Sequence, residues 1–164
     1  MTSLPDINEL NEAAFASFNN LISLLFEPAP PLAIELYAKR PFDDYTQLLN
    51  LAKQVISQLS KDDQITVVNA HPRLGEKNLS VMSAIEQGKI MNNSVDQQLA
   101  LLNKAYEDRH GFKFITFVNG RSRQDILPEI KSRIDNDTGL ELECGLNAMI
   151  SIAFDRLKKI SAKI

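Results

Sequence analysis

The sequence predicts an all-α protein in which residues 1–164 form a single-domain helical bundle of about seven or eight helices. Apolar residues recur at intervals of three and four along most of the chain, which is the spacing of a buried helix face. Prolines and glycines fall between these stretches as helix breakers. No Gly/Ser-rich linker, low-complexity tract or repeat divides the 164 residues, a length that supports one hydrophobic core and is short for two.

The first half is predicted to contain helices separated by proline-rich breaks. Apolar spacing places a first helix between residues 11 and 26, and Pro31 suits the first position of the next helix because its φ is already helical. Asp43 or Asp44 can cap the long helix that follows. Residues 65–68 are mostly β-branched, but their position among helical segments favours a helix there.

Two capping boxes predict helix starts in the second half. Ser94 with Gln97, and Thr138 with Glu141, each combine a hydroxyl residue at the N-cap with Gln or Glu three residues later. The first of these helices is expected to stop at Gly111. The second is expected to run close to the end of the chain as a long amphipathic helix.

The stretch from residue 111 to residue 118 is the least helical part of the chain by composition. It is rich in aromatic and β-branched residues. Asn119-Gly120 directly after it is a strong turn signal. We therefore expect a break in helical structure here.

Charge and composition disfavour several classes of protein. The net charge is −3, so no overall basic field is available to a phosphate backbone, and we expect no nucleic-acid partner. No apolar run reaches the length of a membrane span and the N-terminus lacks a signal-peptide pattern, so we expect no membrane partner and a cytoplasmic location. Cys144 is the single cysteine, which excludes a disulfide within one chain. With only two histidines, no metal site is predicted.

The most informative motif is His-Pro-Arg-Leu-Gly at residues 71–75. His71 precedes a proline, which holds it at the end of an element, where an imidazole can act as a general acid or base. The alternative is that His71 caps the preceding helix by donating to its free carbonyls. Ser83, Glu86 and Gln87 are spaced to share one helix face, although Glu and Gln are also typical of a solvated face.

The other polar residues have more ordinary interpretations. Arg156 borders the apolar stripe of the last helix and could reach an anionic or carbonyl-bearing ligand, but snorkelling of its guanidinium to water is favoured. His110 is expected to be structural, and Cys144 is expected to be a small buried apolar residue. Solvated surface charge is expected for Arg121, Arg123 and Arg133.

Several short pieces of sequence, in a fixed order, carry a resemblance to a known family. They are Phe26-Glu27-Pro28, Arg40-Pro41-Phe42, His71-Pro72-Arg73-Leu74-Gly75, Ser83-x-x-Glu86-Gln87, Leu102-Asn103-x-x-Tyr106, Gly111-Phe112-x-Phe114-Ile115, Ile126-Leu127 and Ile152-Ala153-x-x-Arg156-Leu157. Each piece is weak alone, but together they span nearly the whole chain. The chain resembles the OHCU decarboxylase family (2-oxo-4-hydroxy-4-carboxy-5-ureidoimidazoline decarboxylase) of ureide metabolism.

The resemblance implies an OHCU decarboxylase-like, homodimeric enzyme that needs no cofactor and acts last in converting urate to S-allantoin. Its substrate is then a small ureidoimidazoline. The resemblance implies that His71 is the catalytic histidine and that Glu86 lies beside the reacting centre. It also implies substrate-binding roles for Pro72, Ser83, Ala84, Ile85, Gln87, Phe114, Ile115, Thr116, Phe117, Val118 and Arg156. Lys113 departs from the family, since many members have proline there, and this bears on the stiffness of the loop.

The chemistry of such a substrate explains why no cofactor is expected. The departing carboxylate is attached to a carbon next to a ring C=N, and that bond can accept the electron pair. We expect His71, held by Glu86, to donate or relay the proton that controls the carbanion-like intermediate. The alternative from another class is a non-catalytic helical module that binds a purine-derived ligand or a partner protein. A ureide hydrolase is a weaker alternative because such enzymes commonly need a metal.

Overall fold

Eight helices are formed by the residues that the computed structural model describes, which are 3–27, 29–75 and 93–161. They are α1 (Ile7–Glu12), α2 (Phe15–Ile22), α3 (Pro30–Ala38), α4 (Tyr45–Gln58), α5 (Lys61–Asn69), α6 (Asn93–His110), α7 (Arg123–Ile134) and α8 (Thr138–Ser161). No strand occurs within these ranges, and the predicted all-α fold is confirmed. None of the described helices combines the length and the apolar character that crossing a membrane requires.

The first predicted helix, between residues 11 and 26, is shorter than predicted and follows a separate helix. α1 is capped by Asp6, whose side chain accepts a backbone N–H from the first turn at 2.9 Å. Extended backbone at residues 13 and 14 then separates α1 from α2. Phe18 and Leu25 of the predicted apolar stripe are buried, but Phe15 is 39% exposed. The predicted stripe belongs to α2 and the turn after it, and it is buried except at Phe15, where the helix begins.

The next three helices start close to where the sequence predicts. α3 begins at Pro30, one residue before the predicted Pro31, and both prolines lie in its first turn. Asp44 is the cap of α4, since its carboxylate accepts the backbone N–H of Gln47 at 2.7 Å. Residues 65–68 lie inside α5, so the helix predicted there is confirmed.

Neither residue predicted as an N-cap in the second half lies at that position. Ser94 already lies inside α6, so it is not the N-cap residue. α8 is capped one residue earlier than predicted, by Asp137, whose carboxylate accepts the backbone N–H of Leu140 at 3.1 Å. Thr138 and Glu141 are thereby available for contacts with other helices.

α8 is the helix against which the candidate site is built. It packs against α4, α5 and α6. A Cβ added to Gly145 in α8 would lie 3.8 Å from Val68 of α5 and 3.9 Å from Ile115. Residues 112–118 leave the turn at Gly111 (φ +81°) without helical structure, as predicted. The end of α5 and this non-helical stretch thus meet the same part of α8.

Candidate active site

His71 lies just beyond the C-terminal end of α5 and is almost fully buried, with 4% of its surface exposed. Its backbone N–H donates to the carbonyl of Val68 at 3.1 Å and so continues the last turn of the helix. The ring Nε2 is buried and has no hydrogen-bond partner among the described residues. Helix capping does not account for this nitrogen, because a capping nitrogen would donate to a carbonyl.

The surroundings of His71 keep its ring uncharged. Burial is the largest cause, and it lowers the pKa of His71 to about 4, with the positive charges of Arg156 and Lys113 acting in the same direction. The negative charge of Glu27 opposes them. At neutral pH the ring is therefore a neutral imidazole, which offers one N–H donor and one acceptor nitrogen.

The lowered pKa of His71 predicts that acid destabilises the fold. The unfolded chain has an ordinary histidine pKa of about 6.5, so between pH 6.5 and pH 4 the unfolded state binds the proton more tightly and the folded state loses stability. Above this window the ring is neutral in both states and contributes nothing. Between pH 7 and pH 4.5, urea unfolding should show a larger loss of unfolding free energy in the wild type than in His71→Asn, by on the order of 2 kcal/mol. Equal losses in the two proteins would contradict this prediction.

His71 forms part of the wall of a cavity that is open to solvent. Pro72 lies beside it on the same wall. Residues 114–118, here named the cavity segment, line the same cavity, and most of them are buried. The structure therefore brings to one cavity the predicted residues His71, Pro72, Phe114, Ile115, Thr116, Phe117 and Val118.

The same cavity is also lined by residues that the sequence did not indicate. They are Leu74, Asn119, Gly120, Ile152, Asp155 and Lys159. Asp155 and Lys159 form an ion pair in α8, with Nζ and Oδ2 2.8 Å apart. Together with Ile152 they are spaced by three and four, so they share one face of the helix. This spacing is visible in the sequence and could have indicated a shared helix face. It does not indicate which face of α8 meets the cavity segment.

Arg156 is buried, with 1% of its surface exposed, so the favoured interpretation that it snorkels to water is wrong. Its Nη2 donates to Oε1 of Glu27 at 3.1 Å, and its Nη1 donates to the carbonyl of Leu25 at 3.4 Å. Glu27 is also buried, so the two residues form an interior ion pair whose charges both act on His71. Arg156 is not among the described residues that line the cavity, and its contact with a ligand stays a prediction.

The rest of the predicted site lies outside the described residues. These positions are Ser83, Ala84, Ile85, Glu86 and Gln87. Their roles stay predictions from the resemblance. Within the described ranges, no three His, Cys, Asp or Glu side chains form a group that could hold a metal ion.

Three residues have surroundings that differ from the prediction. Arg133 has a side chain only 13% exposed and donates from Nε to the buried carboxylate of Glu141 at 2.8 Å. Arg123 is 11% exposed and paired with a carboxylate of α6. Arg121 is exposed, as predicted, and it pairs with a carboxylate of α7. Cys144 is exposed, because it lies on the face of α8 that is turned away from the core.

His110 is structural, as predicted. Its Nδ1 lies 2.8 Å from Oγ1 of Thr138, and its Nε2 lies 3.1 Å from the carbonyl oxygen of Arg133. The hydroxyl of Tyr106, one turn earlier in α6, donates to the buried carboxylate of Glu141 at 2.7 Å. These contacts join the ends of α6, α7 and α8 behind the cavity segment.

Relatives with named activities match most of this chain. The family model of OHCU decarboxylase matches residues 11–158. The chain is 30% identical over 159 residues to a uric acid degradation bifunctional protein of Bacillus sp., a match that covers 94% of this chain and 32% of that protein. It is 26% identical over 160 residues to the 2-oxo-4-hydroxy-4-carboxy-5-ureidoimidazoline decarboxylase of Haloferax volcanii, with 94% of each chain covered. The chain thus spans about a third of the length of the bifunctional Bacillus proteins and nearly all of the Haloferax protein.

Two solved structures share the fold. A crystal structure of OHCU decarboxylase in the presence of (S)-allantoin has a TM-score of 0.67 at 24% identity, and the match covers 79% of this chain and 90% of that one. A crystal structure of (S)-allantoin synthase has a TM-score of 0.69 at 21% identity, and the match covers 95% of this chain and 54% of that one. The shared fold agrees with the family match over residues 11–158, and the chain belongs to the OHCU decarboxylase family.

Proposed function

We propose that this protein decarboxylates OHCU to (S)-allantoin and CO₂, the last step from urate to allantoin, and that His71 handles the proton. The observation that carries the proposal is the buried, uncharged imidazole on the wall of the cavity, whose Nε2 has no hydrogen-bond partner among the described residues. Family membership and the names of relatives such as the Haloferax volcanii enzyme support the choice of substrate.

The balance of the reaction defines what the protein has to supply. Decarboxylation breaks the bond to the carboxylate and leaves its electron pair on the ring, where the neighbouring C=N accepts it. The substrate therefore carries its own electron sink, which is why we expect no cofactor. A carboxylate leaves as neutral CO₂, so the ring takes up one proton in each turnover. Delivery of that proton to one face determines the hand of the product.

A neutral His71 has to acquire this proton before it can donate it. The carboxylate of a bound substrate would bring negative charge close to the ring, and a nearby negative charge raises the pKa of an imidazole. Substrate binding thus opposes the effects of burial and of the Arg156 charge on His71. In this scheme the ring becomes charged only when the site is filled, and Glu86 orients it.

The binding roles in this proposal follow the resemblance. Pro72 and the cavity segment contact the substrate ring. Ser83, Ala84, Ile85 and Gln87 complete the pocket, and Arg156 anchors polar groups of the substrate.

We further propose that residues 1–164 form one domain, that the protein is a homodimer, and that it is located in the cytoplasm. The cytoplasmic location is proposed from the single cysteine. Sedimentation of the purified protein tests the dimer.

The test is to add the protein to freshly generated OHCU and to follow circular dichroism. A rapid signal of one hand, with release of CO₂, is expected for (S)-allantoin formation. Slow formation of racemic allantoin at the rate of the buffer control would overturn the proposal. That outcome together with saturable binding of (S)-allantoin would instead favour the non-catalytic binding module.

A further inference from the structure

Arg121, in the turn after the cavity segment, contacts three of the five residues of that segment. Its Nη2 donates to Oγ1 of Thr116 at 3.2 Å and to the carbonyl of Phe117 at 2.7 Å. Its Nε donates to the carbonyl of Val118 at 3.1 Å. A segment that is neither helix nor strand has no ladder of backbone hydrogen bonds, so its buried carbonyls need other donors. The Arg121 guanidinium is the donor for the carbonyls of Phe117 and Val118.

Arg133, in α7, contacts the remaining two residues of the segment. Its Nη1 donates to the carbonyl of Ile115 at 3.3 Å. Its guanidinium carbon lies 4.6 Å from the centre of the Phe114 ring, the geometry of a cation–π contact. Its Nε is held by the buried carboxylate of Glu141, which also accepts from Tyr106. Arg133 is therefore anchored to α6 and α8 while it reaches the cavity segment.

Glu129 of α7 joins the two arginines. Its Oε1 accepts from Nη1 of Arg121 at 2.7 Å, and its Oε2 accepts from Nη1 of Arg133 at 3.0 Å. Burial opposes ionisation of this carboxyl, but hydrogen bonds from Thr116, Arg121 and Arg133 lower the pKa of Glu129 overall. The carboxylate is thus charged at neutral pH and bridges two cations, each bound to a different part of the cavity segment.

We propose that the Arg121–Glu129–Arg133 bridge positions the cavity segment and thereby sets the affinity of the cavity for its ligand. All five residues of the segment are contacted by one or the other arginine, and Glu129 links the two halves. The three are positioning residues, since the cavity wall that a ligand would touch is formed by the segment itself. The inference rests on the proposed function for the identity of the ligand, while the positioning of the segment is independent of it.

The test uses Glu129→Gln, which keeps the size of the side chain but removes the charge and one of its two acceptor oxygens. Asp108→Asn is the matched control, because Asp108 is an exposed carboxylate of α6 that pairs at 3.0 Å with Lys104 in the same helix. Hydrogen exchange of the unliganded proteins measures the order of residues 114–118. Steady-state turnover of OHCU and binding of (S)-allantoin measure the consequence for the cavity.

For Glu129→Gln we expect faster exchange in the cavity segment with unchanged exchange in the centre of α8. We also expect KM for OHCU and Kd for (S)-allantoin to rise about tenfold, with the pH dependence of kcat unchanged because His71 is untouched. Asp108→Asn should match the wild type in every measurement. Arg121→Lys, at a more exposed position, keeps the charge but loses the fork of donors, so it should show the same changes to a smaller degree.

Each outcome bears on a distinct claim. Unchanged exchange at residues 114–118 in both variants overturns the positioning role, whatever the activity. Faster exchange with unchanged KM and Kd overturns the link to affinity and leaves a purely structural bridge. A wild-type protein that neither turns over OHCU nor binds (S)-allantoin refutes the proposed function, and the exchange result still decides whether the bridge positions the segment.

Discussion

An asparagine in place of His71 is expected to lower kcat by about 10²- to 10⁴-fold, the usual contribution of a general acid or base. Asparagine can keep a polar contact at the cavity wall, but it cannot carry a proton near neutral pH. The fold and the affinity for (S)-allantoin should change little, because Nε2 of His71 bonds to no protein group among the described residues. Stopped-flow circular dichroism on fresh OHCU measures the turnover, and calorimetric titration measures the affinity for the product.

A second substitution of His71, to glutamine, separates the loss of proton transfer from the change in side-chain shape. His71→Gln reaches further into the cavity than asparagine and is equally unable to transfer a proton, so both variants should lose turnover to a similar extent. The allantoin formed by either variant should also have a smaller excess of one enantiomer. Near-normal turnover in His71→Asn would remove His71 from the chemistry and leave the cavity as a binding site only.

Breaking the buried ion pair between Glu27 and Arg156 is expected to have the largest effect on stability. Arg156→Met leaves the Glu27 carboxylate 6% exposed without its charged partner, and Glu27→Gln leaves the guanidinium, 1% exposed, in the same position. Removal of one member of a buried pair typically costs about 3–5 kcal/mol. That is a large share of the total stability of about 5–15 kcal/mol of an ordinary domain. Urea unfolding at pH 7 measures the loss in each variant.

The double variant distinguishes a coupled pair from two independent buried residues. Glu27→Gln combined with Arg156→Met removes both charges, so it should be more stable than the sum of the single effects predicts, by at least about 1 kcal/mol. Additive losses would show that the two side chains do not depend on one another. The same cycle has a second readout, since removal of the Arg156 charge should raise the pKa of His71 and removal of the Glu27 charge should lower it.

The helices could be predicted because helical periodicity is a local property of the sequence. α5 was predicted despite its β-branched residues 65–68, since the neighbouring segments were all helical. The starts of the helices were harder to predict, because adjacent residues can each act as the N-cap. Asp137 caps α8 in place of Thr138, since the carboxylate one residue earlier reaches the free N–H of Leu140.

The sequence predicted only part of the candidate site. His71, Pro72 and the cavity segment line one cavity, and their roles towards a substrate stay predictions. The partners of Arg121 and Arg133 could not be predicted, because helix spacing says which residues share a face and not which carboxylate on another element lies opposite. The same holds for Arg156, whose partner Glu27 is 129 residues away along the chain.

That separation also governs how the site is assembled. Glu27 follows α2, whereas Arg156 and the cavity residues Ile152, Asp155 and Lys159 all lie in α8. A chain cut before Ile152 keeps His71 and the cavity segment, but it lacks a cation that pairs with the buried Glu27 and one face of the cavity. We expect such a chain to be inactive, because the site depends on contacts between two distant parts of the sequence.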